Sequence, residues 1–304
     1  MHLVYFYDLK KCHLLFFLLV FGKRISAQEN LTTATPTVTN GKSIFSPKNT
    51  RNFSRKGDFF ASWGYNRSWY ANSDINFRGP GYDFTLRDVK AHDRQSKFGS
   101  DYFNPAKISI PQYDLRIGYY FKDNYSISLG WDHMKYVMDI PQRVRIDGYI
   151  DPMISSPGHP TGNMAGTYNG QEINVKEEML TYEHTDGFNY ANMEIQRDDD
   201  IWVSKSQRRS FTLETGLGAG VFVPRSDVHL FGLGRNNHWN LAGYGFSAKA
   251  GLKYYFTRGL YLQNSTKVGY SNLKNVHTTG RDEIDRASQK IKYLENYTVL
   301  GYQF

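Results

Sequence analysis

Cysteine is almost missing: Cys12 stands alone, so neither a disulfide framework nor a cysteine-based zinc site can form. Uninterrupted apolar runs of about 20 residues are also missing, which excludes a helical membrane protein. Basic residues outnumber acidic ones, 37 to 29, but lie scattered without a concentrated patch, so nucleic acid is not an expected partner. What the chain has in quantity is aromatic side chains, 16% of 304 residues, together with 27 glycines. Disordered chains are poor in aromatics. Strands with one buried face are rich in them.

Near the start, Lys10 and Lys11 precede an apolar stretch from His13 to Phe21, followed by Ile25, Ser26 and Ala27. A charged segment, a short apolar segment and a small residue at a cleavage point describe an export signal over residues 1–27. Cys12 lies at the wrong end of the stretch for a lipoprotein anchor. Residues 28–56 are rich in Thr, Asn, Ser and Pro and lack apolar periodicity, as expected of a flexible polar lead-in. The folded domain then spans 57–304.

From Asp58 the apolar period is two. Phe59, Ala61, Trp63, Tyr65 and Trp69 share one face of a first strand, with Ser62, Gly64, Asn66 and Ser68 opposite. The pattern recurs around 113–121, 125–131, 211–223, 242–256 and 260–270, and in a closing strand through Leu300, Tyr302 and Phe304. A fourth strand, around Ala191, Met193 and Ile195, is indistinct. The connections at 122–124 and 257–259 are tight and the one near 198–207 is moderate. Those at 71–107, 139–185, 225–237 and 275–290 are long. The first of the long ones contains an alternating segment, Asp83–Asp93, expected to form a hairpin. Short turns at one end and long loops at the other predict an all-β, antiparallel, up-and-down transmembrane β-barrel of about eight strands.

Alternation by itself leaves open which face is outside, since a soluble barrel would turn its apolar face inward. Aromatic residues gather at the ends of the apolar rows, as membrane interfaces require. The opposite rows carry Asp114, Arg116, Asp132, Glu194, Glu214, Lys249, Lys253, Lys267 and Glu295, which an enclosed lumen must pair. The last strand carries Leu300, Tyr302 and Phe304 at alternate positions. That ending resembles the assembly signal of Gram-negative outer-membrane barrels, and 58–304 resembles the small eight-stranded members of that class. The resemblance implies a bacterial outer-membrane location, contact with the barrel-assembly machinery and with outer-membrane lipid, and a role among adhesins, structural anchors or lipid A-modifying enzymes.

An eight-stranded barrel is filled by its own side chains, so function is expected on the loops or the lipid-facing wall. A cation recurs near the top of the lipid-facing rows: Arg67, Lys107, Lys135, Arg225, Lys274, and Lys292 with Lys290. Long basic side chains there reach headgroup phosphates, which suggests a belt that binds lipopolysaccharide. An acyl hydrolase or acyltransferase would need a nucleophile, a base and an orienting acid. His184, Asp186, Asp132, His133 and Ser271 are the candidate parts, without a specific catalytic signature. The alternative is structural: His184 and Asp186 brace a loop, and Asp132 pairs with Arg116 or a lysine. His92, Asp93 and His184 show no metal-ligand spacing, and no metal or other cofactor is expected. The expected role is non-enzymatic contact through loops and lipopolysaccharide, with lipid A modification as the alternative.

Overall fold

The computed structural model describes residues 44–304 apart from 46, 48, 97, 98, 100–110, 155–160, 237 and 282. The expected signal segment and Lys107 lie outside the described residues. Among the described residues, fourteen strands, numbered along the chain, and one 3-10 turn (Gly162–Met164) form the regular structure. Among the described residues, no helix is long and apolar enough to cross a membrane.

Eight strands close a ring. β1 (Phe59–Tyr70), β5 (Tyr113–Lys122), β6 (Tyr125–Met138), β9 (Leu180–Val203), β10 (Ser210–Phe222), β12 (Gly243–Tyr255), β13 (Leu260–His277) and β14 (Arg286–Gln303) pair in that order, and β14 returns to β1. Every pairing is antiparallel. Partners followed around the ring run Phe59, Tyr119, Ile127, Ile195, Leu217, Ala248, Val268, Leu294 and then Trp69, ten residues along β1 from the start. A stagger of that size in eight strands tilts them by about 40° to the barrel axis. Ten tilted residues rise about 25 Å, the height of the apolar band on a membrane barrel.

That path runs over the outer wall. Leu217 is 70%, Leu129 64% and Ile195 58% exposed, so the apolar face points out. The polar rows point in and are buried. The connections Asp123–Asn124, 204–209 and 256–259 lie at one end, and the four long ones at the other, in agreement with the expected topology.

The indistinct fourth strand is the longest, the 24-residue β9. In its lower half Asn192, Glu194, Gln196 and Asp198 face inward and Ala191, Met193 and Ile195 face out. In its upper half the inward residues become Leu180, Tyr182, Phe188 and Tyr190. The apolar side of the strand changes where it leaves the membrane, so alternation averaged along it cancels.

The long connections fold into a head. β2 (Ser73–Gly79), β3 (Tyr82–Val89), β7 (Gln142–Ile150) and β8 (Gly166–Val175) form an antiparallel sheet that joins the top of β14 through β2. β4 (Ala91–His92) pairs with β6, and β11 (Asp227–Leu230) pairs with β9. The first-loop hairpin is therefore β2–β3, over 73–89, rather than 83–93. The head has an apolar core: Phe77 meets Phe84 at 5.3 Å and Tyr182 at 5.6 Å, while Phe188 and Tyr190 each stack on Phe222 at 4.7 Å.

The lead-in expected to be flexible over 28–56 is fastened in its last part. Asn49 Nδ2 donates to the Val203 carbonyl at 3.0 Å, and Gln207 Nε2 donates to the Thr50 carbonyl at 3.1 Å. Arg51 binds Asp200 through two bonds of 3.0 and 3.1 Å, and Arg55, 2% exposed, binds the same carboxylate. Two arginines facing the Asp-rich lower end of β9 hold this strap across the short-turn mouth.

Candidate functional site

The lumen is a ladder of ion pairs. From the short-turn end upward, Lys253 Nζ lies 3.0 Å from Asp198 and 2.9 Å from Glu214, and Lys249 Nζ lies 3.2 Å from Glu214 and 2.9 Å from Glu194. Arg116 reaches Glu194 at 2.9 Å and Asp132 at 3.1 Å, while Lys267 binds Asp132 and lies 3.3 Å from Glu194. All these side chains are buried. The carboxylates of Asp114, Asp132 and Glu295 come within 4.8 Å of one another, as metal ligands do. The Lys267 ammonium, bound to Asp132 and 3.5 Å from Glu295, already stands among them as the cation. Above the ladder the aromatic head core begins with Tyr190, Phe222 and Tyr293. Such a lumen is filled rather than open.

The candidate catalytic residues do not meet. Asp132 points into the lumen, held by Arg116 and Lys267. Its neighbour His133 has the opposite parity, shares a 2.6 Å hydrogen bond with Asn189 Oδ1 and stacks on Tyr113. His184 lies in the head core, above the membrane-spanning part of β9, bonded to Ser226 Oγ at 2.8 Å and stacked on Phe188. Burial pushes its imidazole down to about 3, so it stays neutral. Asp186 stands outside, 3.7 Å from Arg225. Ser271 is fully buried on the inner wall, its Oγ unbonded among the described residues. For Asp132 and His184, the geometry is that of structural pairing.

The basic belt is uneven. Lys135 is 8% exposed, its Nζ donating to Ser96 Oγ at 2.9 Å beneath the segment after β4. Lys290 and Lys292 are exposed on β14, next to Lys274 on β13, whose Nζ stands 5.9 Å over the Tyr244 ring. Arg67 and Arg225 are half-buried.

A further site, which alternation in the sequence did not reveal, lies on the outer face of the head sheet. Asp74, Arg87, Asp88, Arg145, Asp147 and Gly170 line a cleft of about 470 Å³. Arg87 bridges Asp74 at 2.9 Å and Asp147 at 2.7 Å. Asp88 adopts φ +57°, a left-handed conformation costly for a residue with a Cβ, and its N–H donates to Asp74 Oδ1 at 2.9 Å. Partial burial works against ionisation of Asp74, but the Asp88 N–H and the Arg87 guanidinium hold its carboxyl below the usual range. Arg143 and Arg145 are exposed on β7 and have no ion-pair partner among the described residues. Tyr149 lies on the same face, 44% exposed.

An eight-stranded antiparallel ring with an apolar exterior, aromatic rows at its rims and an ion-paired interior is a transmembrane β-barrel of the bacterial outer membrane. No family model matches the sequence, and no curated protein sequence matches it. Among solved structures it is similar to the outer membrane protein OprG from Pseudomonas aeruginosa, at 11% identity and a TM-score of 0.42 over 83% of this chain and 97% of that one. It is also similar to Ail, the attachment invasion locus protein of Yersinia pestis, at 12% identity and 0.32 over 82% and 99%. A third is the outer membrane protease OmpT from Escherichia coli, at 11% and 0.29 over 84% and 99%.

Proposed function

We propose that this barrel is a non-enzymatic surface protein whose head sheet binds an acidic glycan and whose upper wall contacts lipopolysaccharide. The observation that carries the first part is the exposed Arg145 guanidinium in a polar cleft, with the exposed Arg143 two residues away on the same face of β7. A guanidinium binds a carboxylate or sulfate through a two-pronged hydrogen bond. The carboxylates of Asp74, Asp88 and Asp147 accept sugar hydroxyls, and the exposed Tyr149 ring offers a stacking face. The filled lumen argues against a diffusion pore, and the scattered His, Asp and Ser side chains argue against hydrolysis.

Lipopolysaccharide contact rests on Lys274, Lys290 and Lys292, which cluster on adjacent strands above the apolar band, with Arg67 on the neighbouring β1. Lys135, covered by its neighbouring segment, is left out of this reading. The head is tested on an array of acidic and neutral oligosaccharides. Wild type is expected to retain acidic members, and Arg143→Gln/Arg145→Gln to lose them by roughly tenfold or more, the scale of one charge-assisted contact. Equal retention of acidic and neutral members by both proteins sinks the glycan reading.

A further inference from the structure

On the lipid-facing wall, one block of side chains breaks the apolar band. The outward residues of β13 run Leu262, Asn264, Thr266, Val268, and those of β14 run Leu300, Thr298, Asn296, Leu294. Asn264 pairs in register with Thr298, and Thr266 with Asn296. Four polar side chains thus form a single seam, bracketed below by leucine and above by leucine and valine. Asn264 Nδ2 donates to Thr298 Oγ1 at 2.8 Å and Asn296 Oδ1 at 3.1 Å, and Asn296 Nδ2 donates to Thr266 Oγ1 at 3.0 Å. Asn264, Thr266 and Thr298 remain exposed. At the same depth the opposite wall is apolar, with Ile127 and Leu129 on β6 and Met193 and Ile195 on β9. Amides facing hydrocarbon are costly, and in membranes such groups serve contacts between protein surfaces.

We propose that this seam is the face on which two copies of the barrel associate, about a two-fold axis along the membrane normal. Both copies insert with the same orientation, so equal depths meet across such an axis and the seam faces itself. Amides and hydroxyls each donate and accept, which makes the seam complementary to its own copy. The threonine hydroxyls accept from the amides, so their protons are left to donate across the interface. The seam carries no formal charge. Arg67, in register with Asn296, borders it at the upper edge, within snorkelling reach of the headgroups. Ala248 and Ala250 on β12 lie beside Val268 and Thr266 and let the two walls approach. A single seam per barrel makes an interface that closes at two copies. Lys274, Lys290 and Lys292 stand above it, where lipid phosphates between the barrels neutralise them.

The test is bis-maleimide cross-linking in native outer membranes, in a Cys12→Ser background. Thr266→Cys and Thr298→Cys are expected to give covalent dimer at least tenfold above Leu129→Cys on the opposite wall. Equal yields overturn the proposal, as does cross-linking of the seam only to a polypeptide of another mass. A second variant, Asn264→Leu/Asn296→Leu, makes the wall more apolar and keeps the heat-modifiable fold. Native mass spectrometry is expected to show its dimer lost, and a dimer that persists overturns the proposal.

Discussion

Glu214 sits between two ammonium groups, 3.2 Å from Lys249 and 2.9 Å from Lys253, with its side chain 1% exposed. Thr215, the next residue, faces lipid. Removing the carboxylate leaves two buried cations short of a partner, a loss of about 3–5 kcal/mol for a broken buried pair. Changing Thr215 to leucine costs within about 0.5 kcal/mol, as expected of an exposed position. Urea unfolding of Glu214→Leu and Thr215→Leu is expected to show the first far less stable, and the opposite order would mean the faces are inverted. The inward parity of Glu214 and the three lysines was legible in the sequence, because an alternating strand has only two sides. The contribution of Arg55 and Asp200 was not: 145 residues separate them, and Arg55 lies in a segment without periodicity.

Among the elements, β7 shows how the head depends on one backbone position. Gly148 has φ +111°, and a Cβ there would come 2.1 Å from the Asp83 carbonyl oxygen of β3. The obstacle is backbone, so no side-chain rotation relieves it. Gly148→Ala is expected to strain the β3–β7 pairing by about 1–3 kcal/mol and to raise proteolysis of the head by roughly tenfold or more. The barrel should still migrate as a heat-modifiable band, because β7 lies outside the ring. Unchanged proteolysis would show that the head does not depend on this pairing. The ring strands were readable because lipid on one side and an ion-paired lumen on the other impose period two throughout the membrane. β2, β7 and β8 were hidden within long connections, and β9 was blurred by the change of its apolar side at the membrane boundary.

For the molecule as a whole, three stacked environments follow one axis: a strap of arginines at the short-turn mouth, a charged lumen, and an aromatic-cored head. The lipid-facing cations concentrate on the β13–β14 side, where Lys274, Lys290 and Lys292 are neighbours. If lipopolysaccharide phosphate binds there, Lys274→Gln/Lys290→Gln/Lys292→Gln should lower the lipopolysaccharide retained by the purified barrel by roughly tenfold, the effect of about 1.4 kcal/mol. Native mass spectrometry measures it directly. Retention equal to wild type would confine function to the head.

By itself, the sequence determined a barrel of about eight strands, its antiparallel order and its short-turn end. Each of these follows from alternation and connection length, which are local properties of the chain. Only the tertiary structure decided that the long connections form a sheet with its own core, that 49–56 closes one mouth, and that Arg87, Arg145 and Asp74 border one cleft. It also decided that Asn264, Thr266, Asn296 and Thr298 form one block, since their contact depends on the register between two strands. Register is set by the closure of the whole ring, and no single strand carries that information.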